Sequence, residues 1–317
     1  MYKEALVTIE SAFPLSGTLT MPEEKQDTYP AVLIIAGSGK GDRDGNLKNL
    51  QMNVYKELAE FLATQGYMTL RYDKRGTYKS KGSFNEAGLS DLIDDAVEGV
   101  RFLKRHPNAD PERILILGHS EGAMIAPAVH NLEPVDGMIL LAGAAEPSAD
   151  LMPRQNEMAY EEMNETDGLK GWIFRTFKVT DRARKQNEQI FSKVANSDKP
   201  VMRVKGIRLN AKWLRETLDY DVVEYLTRAD CPVLAVTGSK DLQVPPEHAR
   251  LIAETVPGES EWHIIPDMNH LLKEYEGEHT MLGLLKEYKS IADSPLSPGL
   301  TAIIGDWLAK QRSVRPG

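Results

Sequence analysis

Ser120 stands between Gly118 and Gly122 in the run Gly-His-Ser-Glu-Gly, directly after the aliphatic residues Ile114 to Leu117 and before a second apolar pattern that reaches Val129. A serine hydroxyl is a weak nucleophile at neutral pH and needs a general base to accept its proton. Small residues two places before and after it let a strand turn into a helix so tightly that the hydroxyl is lifted above the sheet edge. The spacing fits a nucleophile for acyl transfer, and an ordinary turn is the bland alternative. At ordinary Gly and Ser frequencies the pattern arises by chance in roughly one chain in ten of this length, so the partners must decide.

Seven histidines are available as the base. His119 lies inside the turn and should point away from its neighbour Ser120. His263 falls in a strand and His248 in a helix beside Pro246, while His106, His130 and His279 read as surface or helix-end residues. His270, in "WHIIPDMNHLL", comes just past the last strand-like run, in a loop before the final helical region. The acid should leave the preceding strand, and "PVLAVTGSKDLQVPP" supplies Asp241 four residues after Thr237. An aspartate there holds the imidazole tautomer and stabilises the imidazolium. Asp267, three residues from His270, reads as a turn former. The order Ser120, Asp241, His270 is that of one serine hydrolase fold and not of the others.

Two N–H donors must face the oxygen that becomes negative during attack. The amide of Glu121 is one, at the start of a helix whose dipole favours negative charge. The other is expected in "AGSGKGDRDGN", at the amide of Ser38, with Gly39 as the neighbouring alternative. That loop has no Gly-x-x-x-x-Gly-Lys-Ser/Thr pattern and is no phosphate loop. "DRDGN" hints at a calcium loop, but Lys48 and Asn53 stand where later ligands are needed, so no metal is expected.

The elements that must position these residues are short apolar runs at 31–36, 67–73, 113–118, 137–143, 232–238 and 262–266, separated by helical patterns at 48–65, 89–105, 122–131, 246–255 and 299–311. Continuous apolar strands are buried on both faces, which is how parallel strands between helices behave. The expectation is an α/β fold with a mostly parallel central sheet. The runs "ALVTIE" and "LSGTLTM", joined near Pro14, should add an antiparallel edge. The alternation stops over 146–228, which is rich in charge and aromatic residues. It reads as a helical cap inserted into a catalytic core formed by 1–145 and 229–317. Extra helices packed away from any site are the alternative.

The chain has 317 residues, 41% hydrophobic and 27% charged, with a formal net charge of −9 spread along the sequence. That balance provides no field for a nucleic-acid backbone. No apolar run approaches the roughly 18 residues of a membrane span, and the start lacks the apolar core of a signal peptide. Cys231 is the single cysteine and reads as a buried thiol, so the cytoplasm is the expected compartment.

With these residues in place, the chain resembles the α/β-hydrolase superfamily, and within it the bacterial serine carboxylesterases of the esterase D-like, dienelactone-hydrolase-related group. The similarity runs over most of the chain through "LIIAGSGKGDRDGN", "LRYDKRGTYKS", "GHSEG", "KWLRETLDYD", "CPVLAVTGSKDLQVPP" and "MNH". It implies Ser120 as nucleophile, Asp241 as acid, His270 as base, and hydrolysis of short acyl esters without metal or cofactor. Ala36 replaces a histidine common in relatives, which leaves a backbone oxyanion hole intact. Tyr78 occupies a position that is commonly glycine. Asp73 and Arg75 are expected to form a structural ion pair. Trp213 is expected either to line the acyl pocket or to pack between helices.

The reading is a serine esterase acting on a small-molecule ester. A peptidase or amidase, a thioesterase and a C–C hydrolase use the same triad and remain open, as does a non-catalytic binding protein of this fold. A homodimer is one expectation for the assembly, whose state the sequence does not fix.

Overall fold

The computed structural model of the chain describes residues 2–314. Strands β1 (Tyr2–Ile9) and β2 (Leu15–Pro22) form a hairpin and are followed by β3 (Tyr29–Ile35), α1 (Val54–Thr64), β4 (Met68–Tyr72), α2 (Leu89–Arg105), β5 (Ala109–His119), α3 (Glu121–Leu132) and β6 (Gly137–Leu141). A segment of helices comes next: α4 (Ser148–Glu165), α5 (Gly168–Thr176), α6 (Val179–Ala195), a hairpin of β7 (Val201–Val204) and β8 (Ile207–Asn210), then α7 (Ala211–Leu218) and α8 (Val222–Leu226). The chain closes with β9 (Val233–Lys240), α9 (His248–Thr255), β10 (Ser260–Asn269), α10 (Leu284–Ser290) and α11 (Pro298–Val314).

Eight strands form one sheet in the order β1-β2-β4-β3-β5-β6-β9-β10. β1 and β2 pair antiparallel, β2 meets β4 antiparallel, and every later pairing is parallel. The opening hairpin is thus the antiparallel edge expected of it. Alternate strand residues feed two apolar layers. Ala31, Leu33 and Ile35 of β3 pack with α2 and α3, whereas Val32 and Ile34 pack with α1 and α11. Both faces are covered, which is why the central strands read as unbroken apolar runs.

Several boundaries differ from the sequence reading. The helix expected from residue 48 begins at Val54, because Asn46 Oδ1 accepts from the amides of Met52 and Asn53 and holds the approach as a loop. Asn53 itself has φ 52°. β5 starts at Ala109, where Tyr29 pairs with it beyond a register shift. The hairpin β7–β8, on the surface of the helical segment, has too little burial to show an apolar run. Among the described residues, no helix is long and apolar enough to cross a membrane.

Asp73 and Arg75 do not pair. Asp73 receives Arg43, with Nη2 to Oδ2 at 2.6 Å, and Arg75 is held by Asp95 at 2.7 Å and Asp91 at 3.0 Å. The two carboxylates lie one turn apart on α2 and bracket the guanidinium, a long-range match that near-neighbour reasoning overlooks. His130 is a helix-end residue, in the last turn of α3, but is buried there, 3.0 Å from Asp230, and half-buried His279 meets Glu287 at 2.6 Å. Tyr78 adopts φ 40°, the backbone region that explains a glycine preference at its position.

Candidate active site

β5 delivers Ser120 to the C-terminal edge of the sheet, and α3 begins one residue later. The turn is close-packed. A Cβ on Gly118 would lie 2.3 Å from Gly122 O, and one on Gly122 would lie 2.1 Å from Ile35 O. No side chain fits at either place, so the glycines are demanded by backbone contact. Ser120 takes φ 54° and ψ −117°, a conformation that costs a non-glycine residue of order 1–3 kcal/mol.

The loop after β10 brings His270 to this serine, with Nε2 3.1 Å from Ser120 Oγ. On the other side of the ring, Nδ1 is 2.8 Å from Asp241 Oδ2. A carboxylate only accepts, so Nδ1 carries the proton and Nε2 is left as an acceptor for the serine hydroxyl. Asp241 leaves the end of β9, and its other oxygen accepts from the amides of Gln243 and Val244, both at 2.9 Å. Burial alone would raise the Asp241 carboxyl. The His270 charge and hydrogen bond, with the two amides, outweigh burial and hold it below its ordinary value. Asp267 is exposed with φ 58° and pairs with Lys240, away from the ring.

His119 does point away from Ser120. Its Nε2 is 2.8 Å from the His270 carbonyl, and its Nδ1 is 2.9 Å from Tyr55 Oη. The carbonyl requires Nε2 to be the donor, so Tyr55 donates to Nδ1 and accepts from the Gly37 amide at 2.7 Å. Burial, with the neighbouring His270, pushes the His119 imidazole down to about 3, so it is neutral. One chain of hydrogen bonds therefore ties the loop after β3 to the backbone of His270.

The amides of Ser38 and Glu121 border the same cleft. Ser38 N–H has no hydrogen-bond partner among the described residues. Glu121 opens α3, where an amide precedes the helix's own bond ladder. Gly39, with φ 97°, lies one peptide further along the loop.

Three hollows share Ser38 in their lining; Ser120 borders the first and second below, and Glu121 the second and third. One of about 180 Å³ runs past His270 toward Tyr55 and Tyr288. A second, of about 120 Å³, is walled by Met124, Leu151, Trp213 and Val244. A third, of about 230 Å³, lies between Phe84, Leu92 and Trp213. Trp213 borders the second and third, and its Nε1 donates to Glu121 Oε1 at 2.7 Å. Residues that sequence reasoning passed over are Tyr55, Gln243 and above all Lys74, whose ammonium meets Glu121 Oε2 and the Gly37 carbonyl. The signal lies in the charged "LRYDKRG" run, where a lysine between Asp73 and Arg75 has a buried acceptor to find.

Comparison with known proteins agrees with this architecture. The family described as serine aminopeptidase, S33, matches residues 49–276. Among curated proteins, esterase EstD of Thermotoga maritima is 25% identical over 288 residues, covering 90% of this chain and 64% of that protein. The chain thus spans less than two-thirds of the length of that relative. Among solved structures, Est1E of Butyrivibrio proteoclasticus aligns over 97% of this chain and 99% of its own, with TM-score 0.62 and 16% identity. The esterase Pf2001 of Pyrococcus furiosus aligns over 98% and 93%, with TM-score 0.56 and 16% identity.

Proposed function

This chain belongs to the serine aminopeptidase S33 family and has the α/β-hydrolase fold, and we propose that it is a serine hydrolase that cleaves small carboxylic esters through an acyl-enzyme. The observation that carries this reading is the run of hydrogen bonds from Asp241 through His270 to Ser120, with the Ser38 amide, unpartnered among the described residues, beside it. Ser120 Oγ attacks the ester carbonyl while His270 Nε2 takes its proton. The carbonyl oxygen becomes negative and is held by the amides of Ser38 and Glu121. His270, oriented by Asp241, then protonates the leaving alcohol. Water repeats the sequence on the acyl-enzyme and restores the serine.

The helical segment 146–228 acts as a cap in this reading. Trp213 closes the small apolar hollow beside Ser120, which suits a short acyl chain. The ester preference has the support of the similarity to EstD. The cytoplasm fits a chain whose one cysteine is buried with no partner to oxidise with.

The family's description favours one second reading, an aminopeptidase. A free α-ammonium needs a carboxylate that is not already neutralised. The carboxylate against the nucleophile, Glu121, is committed to Lys74 and Trp213, and Asp42, which also lines the hollow, accepts from the amides of Asp44 and Asn46. Esters therefore come first. The test is turnover of aryl esters graded from two to twelve acyl carbons beside aminoacyl anilides, with wild type and Ser120→Ala. Ester turnover that falls with chain length and disappears in the variant supports the esterase. Anilide turnover exceeding ester turnover would transfer the assignment to a peptidase.

A further inference from the structure

Lys74 is a buried lysine that the triad does not use. Its ammonium donates to the carbonyl of Gly37 at 2.6 Å and to Glu121 Oε2 at 2.5 Å. The Gly37 carbonyl belongs to the same planar peptide as the Ser38 N–H. In a trans peptide these two groups point in opposite directions, so fixing the carbonyl fixes the N–H. The preceding peptide is fixed as well, because the Gly37 amide donates to Tyr55 Oη at 2.7 Å. A Cβ on Gly37 would lie 3.2 Å from Ser120 Cβ, so this stretch of backbone is pressed against the nucleophile.

Resting on the ester-hydrolase reading above, we propose that Lys74 is a positioning residue for the oxyanion hole, holding the Gly37–Ser38 peptide so that the Ser38 N–H faces the tetrahedral intermediate. A charge-assisted bond to the carbonyl also polarises the peptide and strengthens its N–H as a donor. Glu121 completes the arrangement. Its carboxylate balances the buried ammonium, and its own backbone N–H is the second donor. Both donors are thereby referenced to one ammonium group. An ion pair kept only for packing would need no bond to Gly37.

Lys74→Met alone leaves Glu121 as an unpaired buried charge, which is strongly destabilising. The test therefore uses Lys74→Met/Glu121→Gln, which removes both charges, beside Lys74→Arg as the conservative variant and Ser120→Ala as the control. Thermal unfolding establishes that each is folded. In the double variant, kcat for an aryl acetate is expected to fall roughly 10- to 100-fold with KM within about threefold. The inhibition constant of an aryl trifluoromethyl ketone, which forms a tetrahedral adduct on a serine, is expected to rise by the same factor. Lys74→Arg, keeping a cationic donor, should recover part of both losses. A folded double variant with kcat and ketone affinity near wild type would overturn the proposal, and so would a loss confined to KM. Ester turnover surviving in Ser120→Ala would instead sink the parent reading, whatever Lys74 does.

Discussion

The indole N–H of Trp213 donates to Glu121 across 2.7 Å, which fixes a side chain of α7 to the residue that follows Ser120. Trp213 is also the wall shared by hollows of about 120 and 230 Å³. Replacing it with alanine should join them. In Trp213→Ala the ratio of kcat/KM for an octanoyl over an acetyl aryl ester is expected to rise at least about tenfold, since each apolar group admitted to a pocket is worth about 1–3 kcal/mol. Trp213→Phe keeps an aromatic wall while losing the N–H and some volume, so its acyl profile should stay close to that of the wild type. An unchanged profile in Trp213→Ala would place the acyl limit elsewhere.

Asp241 holds the His270 tautomer through Nδ1 at 2.8 Å. Asparagine keeps the shape but offers an N–H that selects the wrong tautomer. Asp241→Asn should therefore lower kcat about 10³- to 10⁴-fold with KM little changed. A loss under tenfold in steady-state kinetics would remove Asp241 from the triad.

His119 gives a pH dependence with a definite sign. Its folded-state imidazole titrates near 3 against an ordinary 6.5, chiefly because it is buried. Between those values the unfolded chain binds a proton that the native chain refuses, so stability present above pH 6.5 is lost on acidification. By pH 4.5 the loss from this group is about 2–3 kcal/mol. His119→Gln retains hydrogen bonding but does not titrate. Its melting temperature, lower at pH 7, should fall less between pH 7 and 4.5 than that of the wild type. Equal falls in calorimetry would show that His119 is not the source.

The sequence was most legible where a local rule had one physical solution. Unbroken apolar runs required burial on both faces, and the sheet follows from that. The two glycines around Ser120 could be read as a tight elbow because a Cβ at either would fall 2.1 or 2.3 Å from a backbone oxygen, which leaves no room for any other residue. His270 and Asp241 were legible through their place after strands, and the structure brings His270 to Ser120 and Asp241 to His270. What stayed hidden depends on distant partners. Arg75 finds Asp91 and Asp95 on α2, and Asp73 finds Arg43, none of which spacing along the chain reveals. Lys74 was hidden for the same reason, since its acceptors lie 37 and 47 residues away. His130 likewise finds its hydrogen-bond partner in Asp230, 100 residues on.

The central claim is that Ser120 is the activated nucleophile. The most direct measurement is fluorophosphonate labelling of the folded chain, with intact mass and peptide mapping, followed in parallel with aryl acetate turnover. One phosphonyl group per chain on the peptide containing Ser120, turnover lost in proportion to labelling, and no label on Ser120→Ala is the expected result. Turnover persisting in fully labelled protein, or labelling unchanged in Ser120→Ala, would contradict it.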